Sequence, residues 1–291
     1  KTKSSPGSAR PTIGIEVFYM ITSMSNSQIK HIQQLMKKAK ARRESGLFVV
    51  EGIKMFREAP KERIHRVYAS VSFLESKDNR TILEEKGFGP GSPEMEEVED
   101  KIFRSLSDTV TPQGILCLVR QINTPLSSML ETEDGQEPLL MILEDLQDPG
   151  NLGTILRTGE GAGVSGVILN KNCVDLYNPK VIRSTMRSVY RVPVLTVDSI
   201  LDILPELKRQ GVRTYAAHLQ GAHFYDQENL GGKAAFFIGN EGNGLSDDLS
   251  GRADCLIKIP MMGQVESLNA AMAAGILMYE ASRQRRQLLR S

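Results

Sequence analysis

Short apolar runs alternate with helix-spaced apolar positions through the second half of the 291-residue chain. The runs predict strands at 139–143, 166–169, 192–194, 213–217, 234–238 and 255–259. The spaced positions between them predict helices at 152–160, 179–188, 199–210 and from 267 onward. This alternation indicates a parallel sheet with helices on both faces, which binds ligands in the loops after its strands.

The first half has a shorter α/β pattern. Ile29, Ile32, Leu35 and Met36 have helical spacing and predict one helix from 27 to about 43. Further strands are predicted at 47–50, 66–69 and 114–119, and further helices at 53–59, 76–86 and 98–106. This half is therefore expected to form a smaller α/β domain.

The chain length predicts two domains, at roughly 150 residues per domain. We expect one domain at 20–122, a linker at 123–138 and a second domain at 139–291. The predicted linker carries no basic residue and four acidic ones, Glu131, Glu133, Asp134 and Glu137. Residues 1–19, rich in Ser, Pro and Gly, are expected to be a vector remnant or a disordered tail.

The composition is that of an ordinary globular protein, with 40% hydrophobic and 24% charged residues. It excludes a disordered, collagen-like or coiled-coil chain as a whole. The net charge of +1 gives no sign of a polyanionic partner, although it hides a basic cluster between Lys30 and Arg43. From charge alone, a solvated helix face explains that cluster better than a binding site.

The cysteine count and the absence of long apolar runs limit the cellular setting. The three cysteines are far apart and support neither a disulfide framework nor a zinc site. No apolar run reaches the roughly 18–20 residues needed to cross a bilayer. A soluble, cytoplasmic protein without membrane association is therefore expected.

The segment from Gly161 to Gly166 matches the GxGxxG dinucleotide fingerprint, but in the wrong context. Such a fingerprint leaves a strand and opens a helix, whereas these glycines follow a predicted helix and precede a strand. A helix C-cap and a tight turn explain them better. The sequence Gly232-Lys233-Ala234 also lacks the features of a phosphate-binding P-loop.

Three loops that follow predicted strands carry the candidate chemistry. The loop at 144–158 places Asn151 at a helix start and Arg157 nearly two turns along that helix. The loop at 238–245 surrounds Glu241 with three glycines, and the loop at 259–269 leads into a helix rich in small residues. Each loop taken alone is explained equally well by ordinary local structure, namely helix caps, acids placed for the helix dipole, or glycine turns.

Taken together, the three loops resemble the ordered signature motifs of the SpoU (TrmH) branch of the SPOUT RNA methyltransferases. The order and spacing agree over 139–280. The matching residues are Asn151-x-Gly153-x-x-x-Arg157-Thr158, Gly239-x-Glu241-Gly242-x-Gly244, and Ile259-Pro260-Met261 through Ser267-Leu268-Asn269. The stretch from Ile21 to Gly52 is similar to the family's N-terminal RNA-binding extension, a ribosomal-protein-type α/β fold.

The resemblance implies a deep trefoil knot in the second domain, a rare exception to the unknotted topology of proteins. It implies S-adenosylmethionine as cofactor, no metal, and a homodimer in which the Ala/Gly-rich helix from Asn269 is a knot or dimer packing face. Backbone groups are expected to hold the cofactor, at Gly239, Ile259 and Leu268 together with the neighbouring loop residues Met261 and Gly263.

The implied reaction is methyl transfer to a ribose 2′-hydroxyl of RNA. The family assigns the residue matching Arg157 as proton acceptor or as the group that steers the ribose and phosphate. Because a guanidinium has a pKa above 12, orientation of the phosphate and the developing alkoxide is the favoured role. Asn151, Glu241, Ser267 and Asn269 are expected to orient Arg157 and the substrate. The basic helix supplies the expected RNA contacts, Lys30, Lys37, Lys40, Arg42 and Arg43.

Several alternatives stay open. Ribosomal RNA is the expected substrate and transfer RNA the close alternative, and the residues do not distinguish housekeeping from resistance methylation. A noncatalytic RNA-binding ribosome-assembly factor is a second class, against which the intact motif residues argue. A nicotinamide-dependent oxidoreductase rests on the misplaced glycines at 161–166 alone.

Overall fold

The computed structural model describes residues 20–89, 91–107, 109–132 and 135–289. The expected tail at 1–19 lies outside the described residues, as do Glu133, Asp134 and Arg290. Among the described residues, no helix is long and apolar enough to cross a membrane.

The first domain is built on a four-stranded mixed sheet in the order β1-β4-β2-β3. Strand β4 pairs antiparallel with β1 and β2, and β3 pairs parallel with β2. The strands are β1 Leu47–Glu51, β2 Ile64–Ser70, β3 Met95–Val98 and β4 Ile115–Arg120. The helices are α1 Ser27–Lys37, α2 Ala39–Ser45, α3 Ile53–Glu58, α4 Val71–Glu75, α5 Lys77–Glu85 and α6 Asp100–Leu106, with a 3-10 turn at Lys61–Arg63.

The second domain is built on a seven-stranded sheet in the order β7-β6-β5-β10-β8-β11-β9, and every pairing is parallel. The strands are β5 Leu139–Leu143, β6 Gly166–Asn170, β7 Val194–Val197, β8 Arg213–Ala217, β9 His223–Phe224, β10 Ala234–Ile238 and β11 Cys255–Lys258. The helices are α7 Leu126–Leu130, α8 Pro149–Ala162, α9 Pro179–Ser184, α10 Leu204–Arg209, α11 Asp247–Ser250 and α12 Ala270–Leu288. Short 3-10 turns lie at Ser188–Tyr190, Ile200–Ile203 and Tyr225–Gln227.

Helices cover both faces of this sheet, as the alternating pattern predicts. Helices α8, α9 and α12 pack on one face against side chains such as Met141 and Phe236. Helices α7, α10 and α11 pack on the other face against side chains such as Ile142 and Phe237. Each central strand is apolar on both faces because it is buried on both, so the α/β class and the parallel sheet are confirmed.

The single helix predicted from 27 to 43 is wrong, because the backbone is extended at Lys38 (φ −122°, ψ 116°) and divides it into α1 and α2. The break turns Arg42 inward, where its guanidinium donates to the carbonyl of Leu35 at 2.5 Å. That bond satisfies a carbonyl at the end of α1 that has no partner within the helix. The inward guanidinium also pairs with Asp175, 133 positions away, so a long-range contact accompanies the break in the helical pattern.

The helix predicted at 98–106 is wrong at its start. Strand β3 ends at Val98, and Glu99 is the N-cap residue of α6. The strand is polar at its two middle positions, and one of them, Glu96, pairs with Arg66 on β2. A cross-strand ion pair therefore compensates for a sequence that gives little sign of a strand.

The stretch predicted as a linker packs on the second domain in its first half. Met129 of α7 is fully buried, and a side chain on Gly166 would overlap its sulfur. The amide of Thr124 donates to the carbonyl of Val194 at 2.9 Å, and the amide of Thr196 donates to Asn123 at 2.9 Å. This segment therefore extends the second domain rather than hanging free between the two.

Contacts between the domains involve the segment after β6. Arg42 pairs with Asp175 at 2.6 Å, and the ring of Phe48 lies 4.5 Å from that of Tyr177. The Tyr177 hydroxyl donates to the carbonyl of Ile122 at 2.7 Å. Glu58 of α3 pairs with two arginines of the second domain, Arg187 and Arg191.

Candidate functional site

The three candidate loops meet at one edge of the parallel sheet. They follow β5, β10 and β11, and the carboxyl ends of parallel strands lie on the same side of a sheet. The first loop leads into α8 and the third into α12, and these two helices pack together. The loop geometry therefore gathers residues that lie up to 118 positions apart in the sequence.

A chain of side-chain hydrogen bonds connects one residue from each loop. Asn151 Nδ2 donates to Glu241 Oε1 at 3.0 Å, and Asn269 Nδ2 donates to Asn151 Oδ1 at 2.9 Å. Asn151 is only 8% exposed, so both of its polar groups are used in this chain. The structure thus brings together three of the five predicted catalytic residues.

Glu241 lies at one end of this chain and fastens the start of α8. Its two carboxylate oxygens accept from the backbone amides of Gln147 at 3.0 Å and Asp148 at 2.9 Å. Partial burial acts to raise the pKa of Glu241, but the hydrogen bonds from Gln147, Asn151 and Asp148 outweigh it and lower the pKa below its usual value. Glu241 is therefore held as a carboxylate by the loop it stabilises.

The start of α8 and that of α12 are capped by side chains of the same site. Asp148 is the N-cap of α8 and accepts from the amide of Asn151 at 2.8 Å. Asn269 is the N-cap of α12 and accepts from the amides of Ala271 and Met272. The cap explanation is thus confirmed for Asn269, whose amide group also reaches Asn151.

Three further hydrogen-bonded contacts hold the first loop against its neighbours, and sequence reasoning missed all three. Asn240 Nδ2 donates to the carbonyl of Asp145 at 2.8 Å, and Asn170 at the end of β6 accepts from the Asp145 amide at 3.0 Å. Glu144 accepts from the amide and the hydroxyl of Ser246, each at 2.7 Å. Asp145 is left-handed (φ 52°), so these bonds hold it in a conformation that non-glycine residues seldom adopt.

Gly239 allows the second loop to fold back on itself. A Cβ there would overlap the carbonyl group of Gly244, which pairs with Asn240 through two backbone hydrogen bonds of 3.0 and 2.9 Å. Gly244 is itself left-handed (φ 72°). Close backbone approach therefore requires glycine at Gly239, and the left-handed backbone favours glycine at Gly244.

Gly153 of the first motif has a packing role, because a Cβ there would overlap the side chain of Ser184 on α9. The glycines at 161–166 likewise have a structural role. Gly163 is the left-handed C-cap of α8 (φ 81°), and Gly166 starts β6. The interpretation as a helix cap and turn is confirmed, and the nucleotide fingerprint is excluded.

The third loop, between β11 and α12, is exposed. Ile259 and Met261 are partly exposed, whereas Met262 is 98% exposed and Gly263, Ser267 and Leu268 also face solvent. Among the described residues, no hydrogen bond involves positions 260–268. Its backbone donors and acceptors are therefore available to a ligand, and Ser267 is not part of the Glu241–Asn151–Asn269 chain.

Arg157 lies on an exposed part of α8, away from the buried side on which Asn151 meets Glu241. Within the part of the chain that the structure describes, its guanidinium has no hydrogen-bond or ion-pair partner. In this conformation, the four other predicted catalytic residues therefore do not contact the guanidinium of Arg157 or orient it. A permanent cation is nevertheless presented on the helix that begins at the site.

Four of the five predicted RNA-contact residues are exposed, namely Lys30, Lys37, Lys40 and Arg43. Arg42 is not, because its side chain is only 3% exposed and is bonded to Leu35 and Asp175. The prediction that Arg42 contacts RNA is therefore wrong for this conformation, since its donors are used in a contact between the domains.

One cluster of metal-ligand side chains lies at the sheet edge formed by β9 and β11. Ligand atoms of His223, Glu228 and Cys255 lie within 4.8 Å of one another. Glu228 also pairs with Arg213 at 3.1 Å, which supplies a positive charge to the same carboxylate. Sequence spacing gave no sign of this cluster, because its members come from three separate segments.

Comparison with known proteins gives two family matches that divide the chain as the two sheets do. Residues 138–279 match the model of the SpoU rRNA Methylase family. Residues 26–117 match the model of the MRM3-like substrate binding domain.

Relatives match along nearly the whole chain. A 23S rRNA (guanosine(2553)-2′-O)-methyltransferase, RlmP, of Bacillus subtilis is 30% identical over 259 residues, 89% of this chain and 97% of that protein. A protein of Synechocystis named an uncharacterized tRNA/rRNA methyltransferase is 30% identical over 264 residues, 91% of this chain and 93% of its own length. The crystal structure of an AdoMet-bound rRNA methyltransferase from Sinorhizobium meliloti superposes with a TM-score of 0.77 at 28% identity, covering 91% of this chain and 97% of that one.

Proposed function

Because the chain belongs to the SpoU rRNA methylase family, we propose that it transfers a methyl group from S-adenosylmethionine to a ribose 2′-hydroxyl of ribosomal RNA. The observation that carries this proposal is the hydrogen-bond chain from Glu241 through Asn151 to Asn269. It joins the three motif loops at the ligand-binding edge of the sheet. The relatives named above act on RNA or bind AdoMet, as their names state.

The residues at this edge fit the chemistry of S-adenosylmethionine. The third loop offers backbone groups without protein partners and exposed apolar side chains, including those of Met262 and Leu268. Backbone donors and acceptors suit the polar edge of adenine, and apolar side chains suit its ring. We propose that backbone groups at Gly239, Ile259 and Leu268 hold the cofactor, with Met261 and Gly263 lining the same loop.

When bound, S-adenosylmethionine supplies a methyl group on a positively charged sulfur. The ribose hydroxyl that accepts it must be aligned and must lose a proton. Arg157, with its permanent positive charge, suits a role in holding the RNA phosphate and stabilising the developing alkoxide. Its free guanidinium is the group that RNA would engage, with Ser267 exposed on the third loop and Asn151, Glu241 and Asn269 fixing the loops.

The deep trefoil knot expected from the family belongs to this proposal. Strand β11 lies three places away from β5 in the sheet, yet α12, which follows it, packs beside α8. Gly275 of α12 would place a Cβ 3.6 Å from the methyl group of Thr158 on α8. We propose that the segment from 259 to 269 threads through the second loop on the way to this contact.

A homodimer is also proposed, with α12 as one contributor. The alanine-rich side of α12 faces its own domain, where Ala271, Ala274 and Ala281 are buried. The opposite side exposes Met272 (60%) and Tyr279 (49%), and these apolar side chains suit a partner surface. Light scattering at micromolar concentration should give twice the mass of the chain, and a monomer alone would contradict the proposal.

The first domain, proposed at 20–122, is assigned the binding of RNA. Its exposed Lys30, Lys37, Lys40 and Arg43 supply the charge, while the segment 123–138 leads to the methyltransferase domain at 139–291. Neutralising exposed cations should weaken binding uniformly across RNA sequences and lower its salt dependence. A cytoplasmic location stays a prediction.

The test is incubation of the full chain with labelled S-adenosylmethionine and, separately, with ribosomal and transfer RNA from one bacterial source. Label in ribosomal RNA alone supports the proposal. Label in transfer RNA alone would support the alternative substrate. Binding of RNA without transfer to either, under varied salt and magnesium, would favour the noncatalytic assembly factor.

A further inference from the structure

A cavity of about 230 Å³ opens in the first domain where β2 ends and β4 begins. By the same measure, one water molecule occupies roughly 10–15 Å³, so the cavity can hold a ligand much larger than water. Its lining includes Ser72, Phe73, Asp100, Phe103, Arg104 and Gln113. None of these residues belongs to the three motif loops, so the cavity is separate from the proposed methyl-transfer site.

The cavity combines an apolar floor with a polar rim. Phe73 and Phe103 are almost fully buried and line the apolar part. Arg104 and Gln113 are exposed, and Asp100 is half-buried between them and Ser72. Flat ligands with a polar edge fit such a combination.

The polar groups of the cavity are held in place by the protein, but some of their hydrogen-bond donors and acceptors have no partner among the described residues. Asp100 Oδ1 accepts from the amide of Ser72 at 3.2 Å and from its hydroxyl at 2.6 Å, and a carboxylate has about four acceptor positions. Gln113 Oε1 accepts from the amide of Ile53 at 2.8 Å, which sets the orientation of its amide group. Among the described residues, neither Gln113 Nε2 nor the Arg104 guanidinium donates to a protein group.

A carboxylate acceptor beside amide and guanidinium donors is complementary to guanine. The pairing edge of guanine presents two N–H donors, at N1 and N2, beside the acceptor O6. Uracil has a single donor on that edge, N3–H, which lies between two carbonyl oxygens that the Asp100 carboxylate would repel, and adenine has no donor at N1. A base pair hides this edge, so only an unpaired base offers it to a protein.

We propose that this cavity binds an unpaired guanine of the substrate RNA, with Asp100 accepting from the base and Arg104 and Gln113 donating to it. The proposal rests on the RNA methyltransferase function proposed above. It adds a sequence-reading contact in the first domain, whereas the exposed cations of α1 and α2 contribute charge alone.

The first arm of the test uses free nucleotides as probes. Saturation-transfer NMR is recorded on the full chain with GMP, AMP and UMP in turn. GMP should give the strongest transfer, and the signal should fall at least about tenfold in Asp100→Asn and Arg104→Ala. Lys101→Ala is the matched control, because Lys101 is an exposed cation on the same helix and does not line the cavity. Equal transfer to the three nucleotides, or unchanged transfer in both variants, would overturn the proposal.

The second arm measures methyl transfer to ribosomal RNA. Because each variant removes one contact to the base edge, both should raise KM for RNA by about tenfold or more. The kcat and the Kd for S-adenosylmethionine should stay at wild-type values, a split that general unfolding would not produce. GMP binding with an unchanged KM would show a free-nucleotide site and would also overturn the proposal.

The two arms separate this proposal from the proposed function. If the wild-type chain binds GMP selectively but methylates no RNA, the methyltransferase proposal fails. The cavity would then bind guanine, but not as part of a substrate RNA, so the guanine proposal would fail in that form. If the wild-type chain methylates RNA while both variants keep its KM, only the guanine proposal fails. Arg104 is exposed, so Arg104→Ala keeps the test valid even if Asp100→Asn lowers stability.

Discussion

Asn151→Ala removes the middle of the hydrogen-bond chain that joins the three motif loops. It breaks the 3.0 Å bond to Glu241 and the 2.9 Å bond from Asn269. A bond to a charged group contributes about 1.5–3 kcal/mol and a neutral one about 0.5–1.5 kcal/mol. Because Glu241 and Asn269 are exposed to solvent, which screens and replaces part of both bonds, we expect a loss of about 1–3 kcal/mol in the free energy of unfolding.

The loss is measured by urea unfolding followed by far-UV circular dichroism, because the chain has no tryptophan to report fluorescence. At a urea dependence of about 3 kcal/mol per molar, the upper end of the usual range and suited to a chain of this length, the midpoint should fall by roughly 0.3–1 M. Asn243→Ala is the control, since Asn243 lies exposed in the same loop as Glu241 and its side chain makes no hydrogen bond among the described residues. If Asn151→Ala unfolds within about 0.5 kcal/mol of that control, the chain does not hold the loops together.

Four further predictions concern single residues. Arg157→Ala should lower kcat for methyl transfer at least about 100-fold, while the Kd for S-adenosylmethionine should change less than about twofold. A normal kcat would exclude Arg157 from the reaction. Gly239→Ala should abolish binding of S-adenosylmethionine in calorimetry, because the new Cβ would overlap the backbone of Gly244. A variant that binds S-adenosylmethionine with wild-type affinity would contradict the close approach. The lowered pKa of Glu241 means that its stabilising contribution is present above the ordinary pKa of about 4.3 and disappears as the pH falls through the lower folded value. The stability difference between wild type and Glu241→Gln should therefore vanish at acidic pH, and a constant difference would refute it. Arg42→Ala should lower the midpoint of thermal unfolding more than Arg43→Ala does, because only Arg42 is buried in an ion pair between the domains, and equal midpoints would contradict that role.

Much of the second domain was predictable because its strands are buried on both faces. Strands β5 and β10 have the predicted bounds, since each is a continuous apolar run that is buried along its whole length. The start of β3 was not predictable, because its two middle glutamates hide the alternation of Met95 and Val98. The inward position of Arg42 after the break at Lys38 was not predictable either, because its ion-pair partner Asp175 lies 133 positions away.

The candidate site was predictable as a set of residues but not as a set of contacts. Motif spacing selected Asn151, Glu241 and Asn269, yet only the folded sheet shows that Asn151 bonds to both of the others. Asn170 and Asp145 escaped prediction because their role depends on β6 lying next to β5. The local sequence identifies the residue types, whereas the strand order of the sheet determines which of these side chains are in contact.

The position of the transferred methyl group distinguishes methylation of a ribose from methylation of a base. Ribosomal RNA labelled by this protein from S-adenosylmethionine is hydrolysed in alkali, which cleaves every linkage that has a free 2′-hydroxyl. Because methylation of a ribose 2′-hydroxyl blocks this cleavage, the label should remain in alkali-resistant dinucleotides, and Arg157→Ala should prevent its transfer. Label released in mononucleotides, which indicates methylation of a base, would contradict transfer to a ribose 2′-hydroxyl.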